Sequence, residues 1–346
     1  MERKQKNNRQ KTLTSLARTA NKKIVVIGGG TGTFTVLSGL KHFPVDLTAV
    51  VTMADDGGST GVLRDEFGVL PPGDVRQCLV ALADEDLVMR KLFNHRYDRG
   101  GLKGHSFGNI FISTLEQVTG SIDKAIDVAA NVLNIGGRVV PVTLDKIALH
   151  AELSNGKILN GESAFMEYQL VSKYGIKKIY LDPAGTANPK ALKAIEEADL
   201  IVVGPGKLYT SILPNFLVKG VSRAFVRSKA KKVFIANLMS QQGHTDNFSV
   251  TDYARVLEEY MGERVFDTIL YNTKNPPQTL VRRYADEGES VECTAKCKKR
   301  GYELVGKNLL ADGVAVTAKK DLLRRTLIRH DSDKLAKALI KILVSA

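Results

Sequence analysis

Two glycine clusters near the start of the chain have the residue types of a phosphate-binding site. The first, GGGTG, occupies residues 28–32 and directly follows the apolar, β-branched run 24–27. Glycines allow backbone N–H groups to approach a phosphate at the positive end of a helix, and a helical pattern of apolar residues follows the turn. The second cluster follows the apolar run 47–53 and begins with Asp55 and Asp56. A carboxylate about twenty residues beyond a glycine turn can hold ribose hydroxyls.

The glycine turn departs from the dinucleotide-binding fingerprint. That fingerprint has glycine or alanine at its sixth position, whereas the frame beginning at Gly28 reaches Thr33 and the frame beginning at Gly30 reaches Thr35. A tight strand-to-helix turn without a ligand is therefore an alternative. Because two glycine-rich tips on adjacent strands are typical of a binding site, we favour nucleotide binding.

Two further loops carry polar residues that could contact a ligand. Asp74 is placed to cap a helix that begins near Val75, and with Arg76 it could also contact a ligand, since one residue can do both. His105 and Asn109 lie in a loop with several glycines, which indicates close packing against another part of the protein. A single histidine is usually just hydrogen-bonded in place, so this loop alone does not define a site.

A second strand–glycine–helix junction follows the apolar run 200–203. It reads GPGKLYTS over residues 204–211 and supplies a lysine and three hydroxyl groups as donors. Its spacing is not that of a Walker A loop, and a plain turn is the alternative. Arg329, ahead of the final helix, either pairs with a phosphate or forms a surface salt bridge, and Asp331 is expected to cap that helix.

These loops supply the residues that we predict to bind a nucleotide. They are Gly28, Gly29, Gly30, Thr31, Gly32, Asp55, Asp56, Gly57, Asp74, Arg76, His105, Asn109, Gly204, Gly206, Lys207, Tyr209, Thr210 and Ser211. Asp55 or Asp56 would hold ribose hydroxyls or a Mg²⁺ ion that bridges the phosphates, and Asp56 is the metal ligand we select. No catalytic residue is predicted.

The order of elements predicts an α/β fold. Strand patterns alternate with helical patterns, including strands at 176–181 and 266–271, which implies a Rossmann-like, doubly wound, mostly parallel sheet. In such sheets ligands bind at the carboxyl ends of the strands, where the glycine-rich tips lie. Residues 137–165 alternate instead and include a strong turn at Asn155-Gly156, so we predict a small β-hairpin insertion there. It would serve as a dimer contact or as a lid over the site, and nothing in it looks catalytic.

Composition narrows the class of protein. With 346 residues, 43% hydrophobic and 25% charged, the chain can bury a substantial core. The net charge of +13 is uneven, because residues 1–23 hold eight Lys or Arg and one Glu. We therefore predict a basic, disordered tail at 1–22 and a single α/β domain at 23–346. The rest of the chain has no nucleic-acid-binding motif, so we expect no nucleic acid partner.

Other classes of protein lack support in the sequence. No apolar run approaches the roughly 20 residues of a membrane span, and no signal-peptide pattern is present, so the expected compartment is the cytoplasm. The three cysteines, Cys78, Cys293 and Cys297, are too few for a disulfide scaffold, and their spacing supports neither a zinc site nor a thioredoxin-type site.

Several long segments, in order, resemble the YvcK-type branch of the CofD-like family, whose members are called gluconeogenesis factors. The matching segments are GGGTG (28–32), ADDGGSTGVLR (54–64), PPGDVRQCLVAL (71–82), GHSFGN (104–109), GRVVP (137–141), GPGKLYTSILPN (204–215), ADGVAVTA (311–318) and RHD (329–331). The resemblance runs from about residue 22 to the C-terminus. It implies a Rossmann-like fold that binds a nucleotide.

The resemblance also implies a function. YvcK-like proteins are described as binding UDP-sugars such as UDP-N-acetylglucosamine without known turnover, and they are linked to carbon metabolism and to cell shape or cell-wall synthesis. It further implies that Tyr284 stacks on the base or sugar and that Arg329 neutralises phosphate charge. We expect a cytoplasmic regulatory protein that requires no cofactor, forms a homodimer and has a cell-wall or metabolic protein as partner.

Two enzymatic alternatives stay open. The related CofD enzymes transfer a phospholactyl group from a nucleotide diphosphate carrier to a deazaflavin precursor, and here Asp55 and Asp56 would then serve as metal ligands. A nicotinamide oxidoreductase is the other alternative, although the fingerprint is broken and no proton-relay residues stand near the turn. NAD could still occupy the site as a surrogate ligand.

Overall fold

The computed structural model describes residues 19–83, 88–284, 288–298, 300–312 and 328–345. The strands within this part of the chain are β1 Lys22–Gly28, β2 Val45–Val51, β3 Arg138–Pro141, β4 Ala148–Leu153, β5 Ile158–Asn160, β6 Ile176–Asp182, β7 Leu200–Val203, β8 Lys231–Ile235, β9 Thr268–Asn272 and β10 Glu303–Lys307.

The helices fall mostly between these strands. In chain order they are α1 Thr31–Leu40, α2 Gly58–Phe67, α3 Gly73–Leu82, α4 Val88–Asn94, α5 Phe107–Thr119, α6 Ile122–Leu133, α7 Tyr168–Tyr174, α8 Pro189–Glu197, α9 Leu213–Leu217, α10 Val221–Arg227, α11 Val250–Met261, α12 Gln278–Val281, α13 Ala295–Lys298 and α14 Ser332–Val344. Short 3₁₀ segments cover Glu162–Met166 and Arg282–Tyr284, and a π-helical turn covers Leu208–Ile212. No helix in the described ranges is both long enough and apolar enough to span a bilayer.

The main sheet has seven parallel strands in the order β10-β9-β8-β7-β1-β2-β3. This confirms the predicted α/β, doubly wound class. Chain order reverses beside β1, because β2 and β3 extend the sheet on one side and β7 to β10 on the other. The crevice between the tips of β1 and β7 is therefore the switch point at which open α/β sheets bind ligands.

The central strand β1 is apolar on both faces because the sheet buries both. Ile24, Val26 and Ile27 are fully buried, and Ile24 lies in register with Leu47 of β2 and Leu200 of β7. β-branched side chains suit such a two-sided position, which is why the run 24–27 was recognisable as a strand.

A second sheet of three antiparallel strands, in the order β5-β4-β6, stands apart from the main sheet. The hairpin predicted at Asn155-Gly156 is confirmed, since β4 pairs with β5 across it and Gly156 has a φ of +85°. The boundaries differ from the predicted insertion at 137–165. Strand β3 belongs to the main sheet, whereas β6 pairs antiparallel with β4 and does not continue the parallel α/β order.

The predicted tail at 1–22 lies outside the described residues except for 19–22. Thr19 is buried, and Lys22 is already the first residue of β1. Its ammonium group lies 2.7 Å from the Asp199 carboxylate, and Lys23 pairs with Glu197 at the same distance. These pairs join the start of β1 to the segment before β7.

The C-terminal helix α14 packs directly on α1, the helix that follows the glycine turn. Asp331 caps α14 as predicted, because its side chain accepts a hydrogen bond from the Lys334 amide. The helices approach so closely that a Cβ on Gly39 would lie 2.1 Å from the Ser332 carbonyl oxygen. The end of the chain therefore holds α1 in place.

We expect Gly39→Ala to lower the free energy of unfolding by about 2 kcal/mol, because the added methyl forces α14 away from α1. Alanine is the better helix former, so propensity alone predicts the opposite sign. Urea unfolding measures the difference. Gly136→Ala is the control, since no atom lies within 4 Å of its added Cβ. A Gly39→Ala protein as stable as the wild type would contradict this packing argument.

Candidate functional site

The glycine turn after β1 leads straight into α1, whose N-terminus has no side-chain cap. Its N-cap residue is Gly30, and no acidic residue occupies the first turn. The first N–H groups of a helix lack intrahelical acceptors, so this end of α1 can receive an anion. A Cβ on Gly32 would lie 1.7 Å from the Pro205 carbonyl oxygen, which shows how closely the loop after β7 presses on the turn.

Neighbouring side chains hold the two tips in place. The Asn215 side-chain amide donates to the Gly28 carbonyl at 3.3 Å and also to the Ser211 carbonyl at 3.0 Å. Asn237, beyond β8, clamps Gly206 by accepting from its amide at 3.1 Å and donating to its carbonyl at 2.8 Å. The tips of β1, β7 and β8 thus form one hydrogen-bonded edge.

Asp74 packs against the glycine turn and does not cap α3. The N-cap of α3 is Pro72, so the predicted capping role of Asp74 is wrong. A Cβ on Gly30 would lie 2.4 Å from Asp74 Oδ1, and one on Gly29 would lie 2.9 Å from its Oδ2. These glycines therefore make room for a carboxylate. Thr31 adds a contact to α3, because its hydroxyl donates to Gln77 Oε1 at 3.1 Å.

Asp55 lies at the tip of β2, on the other side of Asp74. Its carboxylate accepts from the Gly57 amide at 3.0 Å, which shapes the start of α2. A Cβ on Gly73 would lie 2.8 Å from Asp55 Oδ2 and 2.5 Å from the Thr60 hydroxyl. The tip of β2 is thus packed directly onto the N-terminus of α3.

The Asp56 carboxylate contacts the backbone of a neighbouring segment, a role different from the metal ligation that we predicted for it. Its Oδ1 accepts from the Ser163 amide at 2.8 Å, at the start of the 3₁₀ segment that follows β5. A Cβ on Gly161 would lie 1.9 Å from Asp56 Oδ2, and Gly161 has a φ of +83°. Both Asp56 oxygens therefore face the segment that follows β5, and metal binding by Asp56 stays a prediction.

Three carboxyl groups share this partly buried region with one lysine. Burial raises the pKa of Asp55, and burial together with Asp55 and Glu162 raises the pKa of Asp74 well above its usual value. Burial and Asp55 raise the pKa of Glu162 to about 7. Lys207 counters all three, and its ammonium group lies 3.6 Å from Glu162 Oε1. Simultaneous ionisation of the three carboxyl groups is therefore disfavoured in this region.

The π-helical turn after Lys207 places its hydroxyl groups differently. A Cβ on Gly29 would lie 2.8 Å from the Ser211 Cβ, so Ser211 lines the glycine turn. The Thr210 hydroxyl is buried beside Glu162, but its oxygen has no hydrogen-bond partner of good geometry in the described part of the chain. Tyr209 turns toward the His244 ring, with centroids 6.4 Å apart. π-helical turns are frequent at functional sites.

A hydrogen-bonded network next to the β2 tip includes three of the predicted residues, Arg76, His105 and Asn109. The buried Arg76 donates to Asn109 Oδ1 at 2.8 Å and to Asn94 Oδ1 at 3.1 Å. The Asn109 side chain donates to the Ser59 hydroxyl at 3.3 Å, and His105 Nδ1 lies 3.1 Å from the same oxygen. This network fixes the start of α2. These residues therefore have a structural role in addition to the predicted contact with a nucleotide.

Tyr284 and Arg329 lie with another group of residues. The Tyr284 ring is buried in a small apolar cluster made by Leu238, Leu280, Leu310 and Ile328. Arg329 directly follows Ile328, so it belongs to the same region, beyond the tip of β8. A cleft of about 640 Å³ also lies there, away from the glycine turn, and its lining includes Ser240, Phe248, Arg282 and Thr294. The matched segment ADGVAVTA extends past 312 into residues outside the described ranges.

Sequence reasoning missed two residues near the site. Glu162 belongs to the insertion, in which nothing looked catalytic, and only the chain path brings it to Lys207. His244 follows β8 in a polar loop, and its ring lies among Phe165, Tyr168 and Tyr209. Neither residue has a local motif that would mark it.

The described residues contain no group of three or more His, Cys, Asp or Glu side chains arranged to hold a metal ion. Carboxylate oxygens are nevertheless the ligands that Mg²⁺ prefers, and this ion usually takes one or two of them together with substrate phosphates and water. The buried Asp55 and Asp74 fit a shared ion of that kind and not a dedicated protein cage.

Comparison with known proteins gives consistent matches. The sequence matches the family described as 2-phospho-L-lactate transferase CofD over residues 24–310. A Bacillus subtilis (strain 168) protein named gluconeogenesis factor is 40% identical over 327 residues, which cover 93% of this chain and 98% of that protein. A Listeria innocua protein of the same name is 41% identical over 326 residues, with coverage of 93% and 95%.

A solved structure supports the same assignment. The crystal structure of a Bacillus halodurans protein superimposes with a TM-score of 0.83 at 38% sequence identity. The match covers 92% of this chain and 99% of that one. The likeness therefore extends over most of the fold.

The pH dependence of stability tests the environment of Asp74. Its pKa is raised in the folded protein, so the unfolded state loses this proton first, and the free energy of unfolding falls as the pH rises above about 4. Asp74→Asn removes this titration. We expect the variant to gain about 1 kcal/mol over the wild type at pH 8 and less at pH 4, as measured by urea unfolding.

Asp65→Asn is the matched control, because the Asp65 side chain is 68% exposed on α2. It should leave the difference between the two pH values unchanged. If Asp74→Asn changes the free energy of unfolding equally at both pH values, ionisation of Asp74 is not the source of the pH dependence.

Proposed function

The chain belongs to the CofD family, and from this premise we propose that it is a cytoplasmic regulatory protein that binds a nucleotide-sugar of the UDP-N-acetylglucosamine type. Relatives named gluconeogenesis factor support a role in carbon metabolism. The link to cell shape or cell-wall synthesis, the protein partner and the homodimer belong to the same proposal, and they rest on the resemblance to YvcK-like proteins.

The observation that carries the proposal is the uncapped N-terminus of α1 at the switch point of the sheet. The first turn of α1 offers backbone N–H groups to an anion beside Gly30, whose own amide donates to Asp74, and Lys207 on the facing tip of β7 supplies a positive charge. Helix N-termini and lysine side chains are both suited to a diphosphate. We therefore assign the diphosphate to the space between these tips.

The nucleoside and the sugar would extend from this point in different directions. Asp55 at the β2 tip is placed to accept hydrogen bonds from ribose hydroxyls, as an acidic residue at this position does in related folds. Along the edge toward β8, the cleft near Arg282 would suit the other end of the ligand. Tyr284 and Arg329 lie on that side, and their predicted contacts with the ligand remain part of the proposal.

A cation would favour the ionised carboxyl groups beside a bound diphosphate. A diphosphate placed beside Asp55, Asp74 and Glu162 would add charge of the same sign to a partly buried region, where such repulsion is weakly screened. Lys207 alone does not balance this charge. We propose that Mg²⁺ enters with the ligand, held by its phosphates and by Asp55 or Asp74. Asp56, the metal ligand predicted from the sequence, is less suited because its oxygens face Gly161 and Ser163.

A transferase of the CofD kind is the second candidate, favoured by the family match over 24–310. The same carboxylates would then hold the metal that stabilises phosphate charge during transfer. The ligand recovered after binding discriminates between the two, because a regulatory protein returns it intact. Absence of the deazaflavin cofactor from the source organism would eliminate this particular reaction.

Calorimetric titration of the full chain with UDP-N-acetylglucosamine, with GTP and NAD as comparators, tests the proposal. We expect micromolar binding of the UDP-sugar and recovery of the intact ligand. Lys207→Gln should weaken that binding at least about tenfold, because it removes the positive charge at the β7 tip.

Lys193→Gln is the control for that variant, since the Lys193 side chain is 75% exposed on α8 and far along the chain from the glycine turn. Preference for GTP, or a consumed ligand, would support the transferase. If none of the three compounds binds, the nucleotide assignment is wrong.

Removal of divalent cations tests the electrostatic argument separately. We expect EDTA to weaken binding of the UDP-sugar at least about tenfold, because the three carboxyl groups then repel the diphosphate. Titration at the same ionic strength with sodium salt in place of Mg²⁺ controls for screening. Equal affinity in both conditions would show that Lys207 and the backbone suffice.

A further inference from the structure

The chain between β5 and α7 covers the proposed phosphate site. We call residues 161–168 the roof segment. It contacts the loops after β2, β7 and β8, which are the same loops that carry Asp56, Lys207 and His244. A segment from the small sheet is thus attached to the main sheet at its ligand-binding edge.

Two of the three attachments involve the backbone of the roof segment. The Ser163 amide donates to Asp56 at 2.8 Å, and the Phe165 carbonyl accepts from His244 Nε2 at 2.9 Å. Next to His244, a Cβ on Gly243 would lie 2.9 Å from the Tyr168 carbonyl oxygen. These contacts fix residues 163–168 of the roof segment through the neutral His244 and the Asp56 carboxylate.

The third attachment is a charge pair. Glu162 Oε1 lies 3.6 Å from Lys207 Nζ, and the Glu162 side chain is only 17% exposed, whereas that of Lys207 is 47% exposed. The Glu162 carboxylate also faces the charges of Asp55 and Asp56. Lys207 is therefore the cation that stabilises the Glu162 carboxylate in this position.

We propose that Glu162 is a built-in competitor for the phosphate site. Its carboxylate pairs with Lys207 when no ligand is bound, and a phosphate group of the nucleotide-sugar takes its place. This inference rests on the proposed function, since it assigns Lys207 to a phosphate. It adds that binding releases Glu162 and shifts the roof segment.

Charge explains why the phosphate displaces Glu162 from Lys207. A diphosphate with its Mg²⁺ can contact Lys207 and the α1 N-terminus together, whereas Glu162 contacts only Lys207. Once Lys207 turns to the phosphate, Glu162 is left beside Asp55 and the ligand, all of the same sign. The carboxylate then moves outward, and the attachments at Ser163 and Phe165 confine the movement to the start of the roof segment.

Glu162→Gln tests the competition, because it keeps the side-chain shape and removes the charge. We expect the full-length variant to bind UDP-N-acetylglucosamine about tenfold more tightly than the wild type at a fixed Mg²⁺ concentration. Glu162→Ala should tighten binding in the same way. Glu167→Gln is the matched control, because Glu167 also pairs with a lysine, Lys157 at 3.5 Å, but its side chain is 56% exposed.

Hydrogen exchange measured by mass spectrometry gives a second readout. In the wild type, saturating ligand should change amide exchange in peptides that cover 161–168. In ligand-free Glu162→Gln, exchange there should already approach that of the bound wild type, while Glu167→Gln should match the unbound wild type. Unchanged melting temperatures of the variants establish that they are folded.

The outcomes separate the two proposals. If the wild type binds the UDP-sugar but both Glu162 variants bind with equal or lower affinity, Glu162 does not compete, and the proposed function stands. If the wild type binds and exchange in 161–168 does not change, the shift of the roof segment is refuted. If the wild type does not bind at all, the proposed function falls and this inference falls with it.

Discussion

The architecture of the site depends on the close approach of two strand tips. Gly32 lies so near the Pro205 carbonyl that any side chain there would force the tips of β1 and β7 apart. This contact sets the distance from the α1 N-terminus to Lys207, and therefore which anion fits between them. Asn215 and Asn237 then brace the same tips with hydrogen bonds, so the spacing is rigid before any ligand arrives. Preorganisation of this kind lowers the entropic cost of binding.

The cost of this arrangement is electrostatic. Partial burial of Asp55, Asp74 and Glu162 beside one lysine destabilises the ionised carboxylates, as their raised pKa values indicate. Selection for stability alone would not retain such a cluster of carboxyl groups. Binding sites commonly retain clusters of this kind at the expense of stability. The proposed Mg²⁺ ion would reduce this repulsion between the carboxylates. In the ligand-free protein, the three carboxyl groups therefore lack the cation that the proposed binding would supply.

The sequence was sufficient for the main sheet and insufficient for what surrounds the site. Strand β1 was predictable because burial on both faces requires an apolar, β-branched run. Strand β6 has a similar composition, so the sequence did not reveal its antiparallel pairing with β4, which tertiary contacts decide. The turn 28–32 is predictable from its glycines, whereas the sequence indicates either a helix cap or a ligand contact for Asp74 and does not reveal that Asp74 packs on the turn. Glu162 was missed because its role comes from the chain path alone.

The proposed regulatory function requires that binding change the surface of the protein, and the two-sheet design offers a route. Within the described residues the small sheet pairs no strand with the main sheet, so it could shift without disturbing the main-sheet ladder. Its link to the site is direct: the Gly161 amide, at the start of the roof segment, donates to the Leu149 carbonyl of β4 at 2.7 Å. A shift of Glu162 would therefore reach β4 within one hydrogen bond. Ile158 and Met166, about half exposed on either side of Gly161, would carry that shift to the surface.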